Sequence, residues 1–155
     1  MYSAATVANA FIRIAKKNGL ALSNLKLQKL VYFAHGWCLA ILGKPLIKEC
    51  VEAWQYGPVV PDLYHALKRY GSSVVTEEIP DVPEIPENSG AYPFLQAVFN
   101  KYGMYTPAQL VAITHQPGAP WQNVCPRSVI PDDSIAEYFK HLPEKLKESA
   151  NAGKQ

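Results

Sequence analysis

The sequence predicts an α+β fold, a mostly helical single domain with a small antiparallel β-sheet to one side. Three observations predict it. Apolar residues recur at helical spacing in several segments that begin at capping residues and end at glycine or proline. The short run Leu46 to Tyr56 is instead rich in Ile, Val, Trp and Tyr, the composition of strands. The chain has 155 residues, 48% of them apolar and 18% charged, which suits one core. A chain of this length buries about two-thirds of its unfolded surface without needing disulfide or metal staples.

The first helix is expected from Ser3 or Thr6 to Lys17, with Val7, Ala10, Phe11 and Ile14 on one face and Gly19 in the stop position. Lys16 and Lys17 lie in its last turn, where the helix dipole favours cations. Ser23 reads as the N-cap of a longer helix from Asn24 to Leu42, ended by Gly43 and Pro45. On that helix Leu27, Leu30, Val31, Ala34, Trp37, Cys38 and Ile41 form the arc expected to face the core. Gln28, Tyr32 and His35 lie along its edge, and Lys26, Lys29 and Phe33 near the opposite side. Phe33 between two lysines is either a second buried contact, as in a central helix, or part of an exposed partner surface.

Leu46 to Tyr56 reads as one or two strands, stopped by Gly57-Pro58. A third helix should start within Pro58 to Asp62 and reach Tyr70, because proline is tolerated in a first turn and Asp62 suits the positive end. Its inward stripe is Val59 or Val60, Leu63, Leu67 and Tyr70, with Gly71 as stop. Val74 to Ile79 is a further candidate strand, pairing with Val51 to Tyr56. Pro80, Pro83 and Pro86 recur at the period of a polyproline II segment with acidic residues between them, which predicts a loop or tether. Helices are expected again at Tyr92 to Tyr102, at Thr106 to His115 with Thr106 as cap, and at Pro131 to Leu142. Residues 1–148 read as one domain and Ser149 to Gln155 as a frayed polar tail.

Cys38, Cys50 and Cys125 form no paired framework, no secretory leader is recognisable, and a reducing cytoplasm fits best. The apolar segment Ala4 to Ile14 is interrupted by Asn9 and Arg13 and is far shorter than the roughly 20 residues of a membrane span. Net charge is +2 but unevenly spread: +6 over residues 1–70, −5 over 71–100 and +1 over 101–155. The basic amino-terminal part, with Lys26, Lys29, Lys68 and Arg69 among Tyr32 and Tyr64, could favour a phosphate backbone. No recognition-helix motif accompanies it. The acidic proline segment could serve as a docking strip for another protein, or simply as a wet loop.

No catalytic constellation stands out. His35, His65, His115 and His141 lack partners at ligand spacing, and a zinc site needs at least three ligands plus an open position. Cys38 reads as core, and Cys125 lies before Pro126 without an activating motif. No glycine-rich phosphate loop occurs. The expectation is therefore no enzyme, no metal and no cofactor, with a hydrolase using His35, His65 or His115 as a remaining alternative.

Three clusters taken together resemble the Panacea domain of SocA-like and GepA-like antitoxins, often found in phage-associated genes. They are Leu25 to Ala34; Glu52 to Val60 with Leu63-Tyr64 and Tyr70-Gly71; and Thr114-His115 before Pro120-Trp121. The likeness extends from about Asn24 to Phe139. It implies a non-enzymatic protein that neutralises a toxin encoded beside it by binding it directly. Some relatives carry a DNA-binding segment, which is not visible here, and one acts as an adaptor that presents its toxin to a cytoplasmic ATP-dependent protease. Gln28, Lys29, Tyr32, Trp54, Tyr56 and Tyr64 are the residues expected on a partner-binding face, and Gly57, Pro58, His115 and Trp121 those expected to shape the motif. The competing reading is a nucleic-acid-binding regulator that uses the basic amino-terminal region.

Overall fold

The computed structural model describes the backbone of residues 1–152 and the side chains as far as Leu142. Along the chain, α1 (Ala4–Lys17) and α2 (Asn24–Leu42) precede β1 (Val51–Trp54), β2 (Gly57–Val59) and α3 (Pro61–Leu67), which a 3₁₀ turn continues to Tyr70. Then come α4 (Ala91–Tyr102), α5 (Pro107–Thr114), a 3₁₀ turn over Pro120–Asn123, β3 (Val129–Ile130) and α6 (Asp132–Ala152). This is the mostly helical α+β architecture that the sequence predicts. The tail expected at 149–155 falls partly within α6, and its last three residues lie outside the described residues.

Local chemistry sets the helix ends. Ser3 and Ser23 accept the backbone N–H of Thr6 and Lys26 through their hydroxyls, and Thr106 with Gln109 forms a reciprocal capping box on α5. Gly43 takes the left-handed conformation that ends α2.

α2 is the central element. Its predicted core arc is buried at Leu27, Leu30, Val31, Ala34 and Cys38, but so are Gln28, Lys29, Tyr32, Phe33 and His35. Phe33 is thus the second buried contact of a central helix: it stacks on Tyr102 of α4 at 4.0 Å and meets Phe139 of α6 edge-on. The α2–α6 approach is close at Gly36, where an added Cβ would lie 2.3 Å from the Phe139 ring. Ile41 departs from expectation and is 65% exposed.

Two strand expectations need correction. Gly57-Pro58 does not stop the strand region but forms β2, joined to β1 by a two-residue turn, Gln55-Tyr56. Ala53, opposite Pro58, directs its own N–H to Ser128 and its C=O to the N–H of Arg127 on the β3 side. The Ala53–Pro58 pair is therefore a non-hydrogen-bonded one, where proline's missing N–H is not needed. β1 is central in the order β2-β1-β3, all antiparallel.

Val74 to Ile79 does not join that sheet. It makes a single bridge to Ser23, Val75 donates to the Leu22 carbonyl, and Asn9 takes both the N–H and the C=O of Ile79. The acidic proline segment then lies along α1, with Ile85 fully buried, Arg13 paired to Glu78 and Glu84, and Lys17 paired to Glu87. Two of its acids, Glu84 and Glu87, pair with Arg13 and Lys17 of α1, so it is a strap on this molecule and not a loose strip.

Candidate interaction site

The first turns of α2 aim two polar side chains at the corner where β2 turns into α3. Gln28 accepts the N–H of Val60, the residue that caps α3, at 3.0 Å, and donates to Asn24 at 3.0 Å. Asn24 in turn donates to the carbonyl of Tyr64. One position on, Lys29 donates to the Pro58 carbonyl at 3.0 Å. Because Pro58 sits in a non-hydrogen-bonded pair, that carbonyl points away from β1 and is free to receive it.

Lys29 is completely buried and has no carboxylate partner among the described residues. Burial disfavours the ammonium and lowers its pKa from 10.5 to about 7. Gly57 closes over it. With φ +106° this position favours glycine, and an added Cβ would fall 2.7 Å from Thr114 Oγ1 and 3.2 Å from Lys29 Nζ.

The third cluster arrives from the other side. Trp121 donates its indole N–H to the Trp54 carbonyl at 2.6 Å, and its ring lies 3.8 Å from that of His115. His115 Nδ1 is 2.6 Å from the Val111 carbonyl, which also accepts from the Thr114 hydroxyl. On the outer face the Trp54 ring carries the Arg127 guanidinium at 4.2 Å and the edge of Tyr64 at 4.9 Å. Tyr56, at the tip of the turn, is 59% exposed.

The three separated clusters therefore meet at one corner: Gln28 and Lys29 below, Gly57 and Pro58 in the middle, His115 and Trp121 bracing the side. Trp54 and Tyr64 are half-buried and share the outer surface with Tyr56. Gln28, Lys29 and Tyr32, expected on that face, are instead buried and offer no contact surface themselves. A period-based reading assigns polar residues to the wet side, and it fails on a helix packed on all sides. Tyr32 sits farther along, against Phe33 and Phe139, and burial pushes its hydroxyl pKa up.

Sequence reasoning missed Asn24, Thr114 as a neighbour of Gly57, and Arg127. Arg127 holds a left-handed φ of +68° while donating its N–H to Ala53, a tertiary constraint without local signal. The remaining histidines are structural or superficial. His35 is buried, accepts the N–H groups of Leu46 and Ile47 at Nδ1, and contacts Asp132 at 2.9 Å through Nε2, so it ties α2 to the start of α6. His141 meets Glu137 on the surface of α6.

Among the described residues no group of three or more His, Cys, Asp or Glu is placed to hold a metal, and no helix is long and apolar enough to cross a membrane. The basic amino-terminal part also presents fewer unpaired cations than its +6 suggests, since Lys29 is buried and Arg13 and Lys17 are paired.

Fold and site together define a small helical domain that holds an aromatic, cation-bearing corner rigidly on a buried polar scaffold. Residues 27–122 match the family described as antitoxin SocA-like, Panacea domain, and the chain belongs to that family. It is 32% identical over 127 residues to the antitoxin SocA of Caulobacter vibrioides (strain NA1000 / CB15N), across 76% of this chain and 68% of that protein. The family span opens at Leu27 and closes at Gln122, so it contains the residues of the three clusters that meet at the corner: Gln28 and Lys29, Gly57 and Pro58, and His115 and Trp121. No solved structure matches the chain.

Proposed function

We propose that this chain neutralises a cognate protein toxin by binding it directly, through the surface around the Trp54–Gly57 turn. The family supplies the antitoxin role and with it a toxin partner. The observation that carries the contact face is the contrast at the corner. Behind the turn Gln28, Lys29 and Val60 are buried and hydrogen-bonded, while Tyr56 projects from it beside Trp54, Tyr64 and Arg127. Tyr, Trp and Arg dominate the energetics of protein interfaces, and rings held in place before binding lose little entropy on contact.

In this reading Gln28, Lys29, Gly57, Pro58, His115 and Trp121 position the surface, and Trp54, Tyr56, Tyr64 and Arg127 touch the partner. The neighbouring gene expressed alone should arrest growth, and co-expression of this chain should restore it and yield a complex on co-purification. Tyr56→Ala should fold normally yet weaken the complex by about tenfold or more, the loss of one interface anchor. Absence of both rescue and complex with the unaltered chain rejects the reading; full rescue by a combined Trp54→Ala, Tyr56→Ala and Arg127→Ala variant moves the contact face elsewhere.

A further inference from the structure

A second surface lies at the other end of α2. Between its last turns and α4 runs an open hollow of about 640 Å³, and a smaller one of about 210 Å³ adjoins it, sharing Ile41 and Phe94. The larger falls in the ~300–1,000 Å³ range of ligand clefts. Three large apolar side chains stand exposed on it: Met1 at 80%, Ile41 at 65% and Leu42 at 57%. An apolar trough of this kind on a small domain marks an interaction site.

Charge says what kind of partner it fits. Lys44 lines the larger hollow and Lys101 the smaller, and no Asp or Glu lines either. Neither lysine pairs with a carboxylate among the described residues. Lys101 lies over the Trp37 ring at 4.5 Å and is exposed, so its ammonium can meet a partner's carboxylate.

We infer that this trough docks an acidic amphipathic helix of a protein partner, its apolar ridge on Ile41 and Phe94 and its carboxylates on Lys44 and Lys101. A second copy of this chain fits poorly, because a two-fold contact through the same patch would bring the unpaired lysines onto a surface without acids. A membrane fits poorly because the surface is concave, whereas a ridge of helical side chains is the shape that fills a groove. The site lies about 20 Å along α2 from Gln28 and Lys29 and is independent of the hairpin reading.

The test uses the full chain and two fluorescent designed helical peptides of about 16 residues. Both carry leucine at helical i, i+3, i+4 and i+7 spacing; one has glutamate on the flanks and the other lysine. The acidic peptide should bind at least about tenfold tighter by fluorescence anisotropy. Ile41→Glu should lose that binding by a similar factor, and Lys44→Glu with Lys101→Glu should reverse the preference. Tyr56→Ala should leave it unchanged. These positions are exposed, and circular dichroism verifies that each variant folds. Absent or charge-indifferent peptide binding overturns the inference. So does an Ile41-dependent dimer in light scattering, or Ile41-dependent sedimentation with phosphatidylglycerol vesicles.

Discussion

The two halves of α2 share one apolar core, with Leu27, Leu30 and Val31 buried in the first and Ala34 and Cys38 in the second, and differ in the contacts they add to it. Its amino-terminal half adds directional polar bonds: Gln28 to the Val60 N–H and Lys29 to the Pro58 carbonyl, each reaching the backbone of the β2–α3 corner. From Tyr32 onward it adds rings, with Phe33 stacked on Tyr102 and Phe139 edge-on to Tyr32, Phe33 and Trp37, alongside the polar contacts of His35. Ring packing removes apolar surface from water and scales with area. A buried polar bond adds little net free energy, but leaving it unmade is expensive, so it fixes geometry more than it adds stability. One helix therefore carries both the ring cluster that meets α4 and α6 and the polar bonds that hold the exposed corner in place.

Removing the ring common to the packed half should have the largest effect. Phe139 is fully buried, and Phe139→Ala should lower unfolding free energy by about 3–5 kcal/mol, measured by urea denaturation. A loss below about 1 kcal/mol would mean that the α2–α6 contact is not where the stability resides.

Lys29→Met probes the other half through pH. The folded-state pKa is lowered from 10.5 to about 7, so between those values the unfolded chain binds the proton and the folded chain does not. Stability of the unaltered protein should then rise with pH across that window, at no more than about 1.4 kcal/mol per unit, and fall as pH drops through 7. The methionine variant lacks this group's contribution, so its stability relative to the unaltered chain should be most favourable at pH 6 and decline toward pH 9. Parallel stability curves for the two proteins would show that Lys29 does not titrate in this range.

Gln28→Ala should cost about 1–3 kcal/mol, because it strands the buried Val60 N–H and an Asn24 acceptor. Hydrogen exchange should report this locally, with the Val60 amide losing protection while amides in α6 keep theirs. Uniform loss across the chain would merge the two halves into one cooperative unit and remove the distinction between them.

The boundaries of α1, α2 and α5 were legible because each is written in adjacent residues: Ser3, Ser23 and Thr106 cap, and Gly43 terminates. The sheet was less legible for a physical reason. β3 has only two residues and so no period, Pro58 in a strand is acceptable only because of the pairing class across from it, and the backbone of Val74 to Ile79 is satisfied by Leu22 and Asn9, one of them a side chain about 70 positions away. At the site, the motif clusters could be found but not their depth. Phe33 between Lys26 and Lys29 was the one sign that α2 is wrapped on both sides, and it is compatible with two readings until α4 and α6 are in place. That Lys29 lies inside and Tyr56 outside follows from tertiary packing alone.

Tyr56 provides the smallest effect on stability. It is 59% exposed at the tip of a two-residue turn, and the turn's conformation is carried by Gly57 and by bonds to residues on either side of it. Tyr56→Ala should therefore change unfolding free energy by less than about 0.5 kcal/mol, with the Val60 amide still protected in hydrogen exchange. A residue whose loss leaves the fold intact but abolishes toxin binding acts at the contact itself. If instead Tyr56→Ala destabilises the chain as much as Gln28→Ala does, the ring is part of the scaffold. The exposed corner would then be an extension of the polar half of α2, and Trp54, Tyr64 and Arg127 would be left to form the contact.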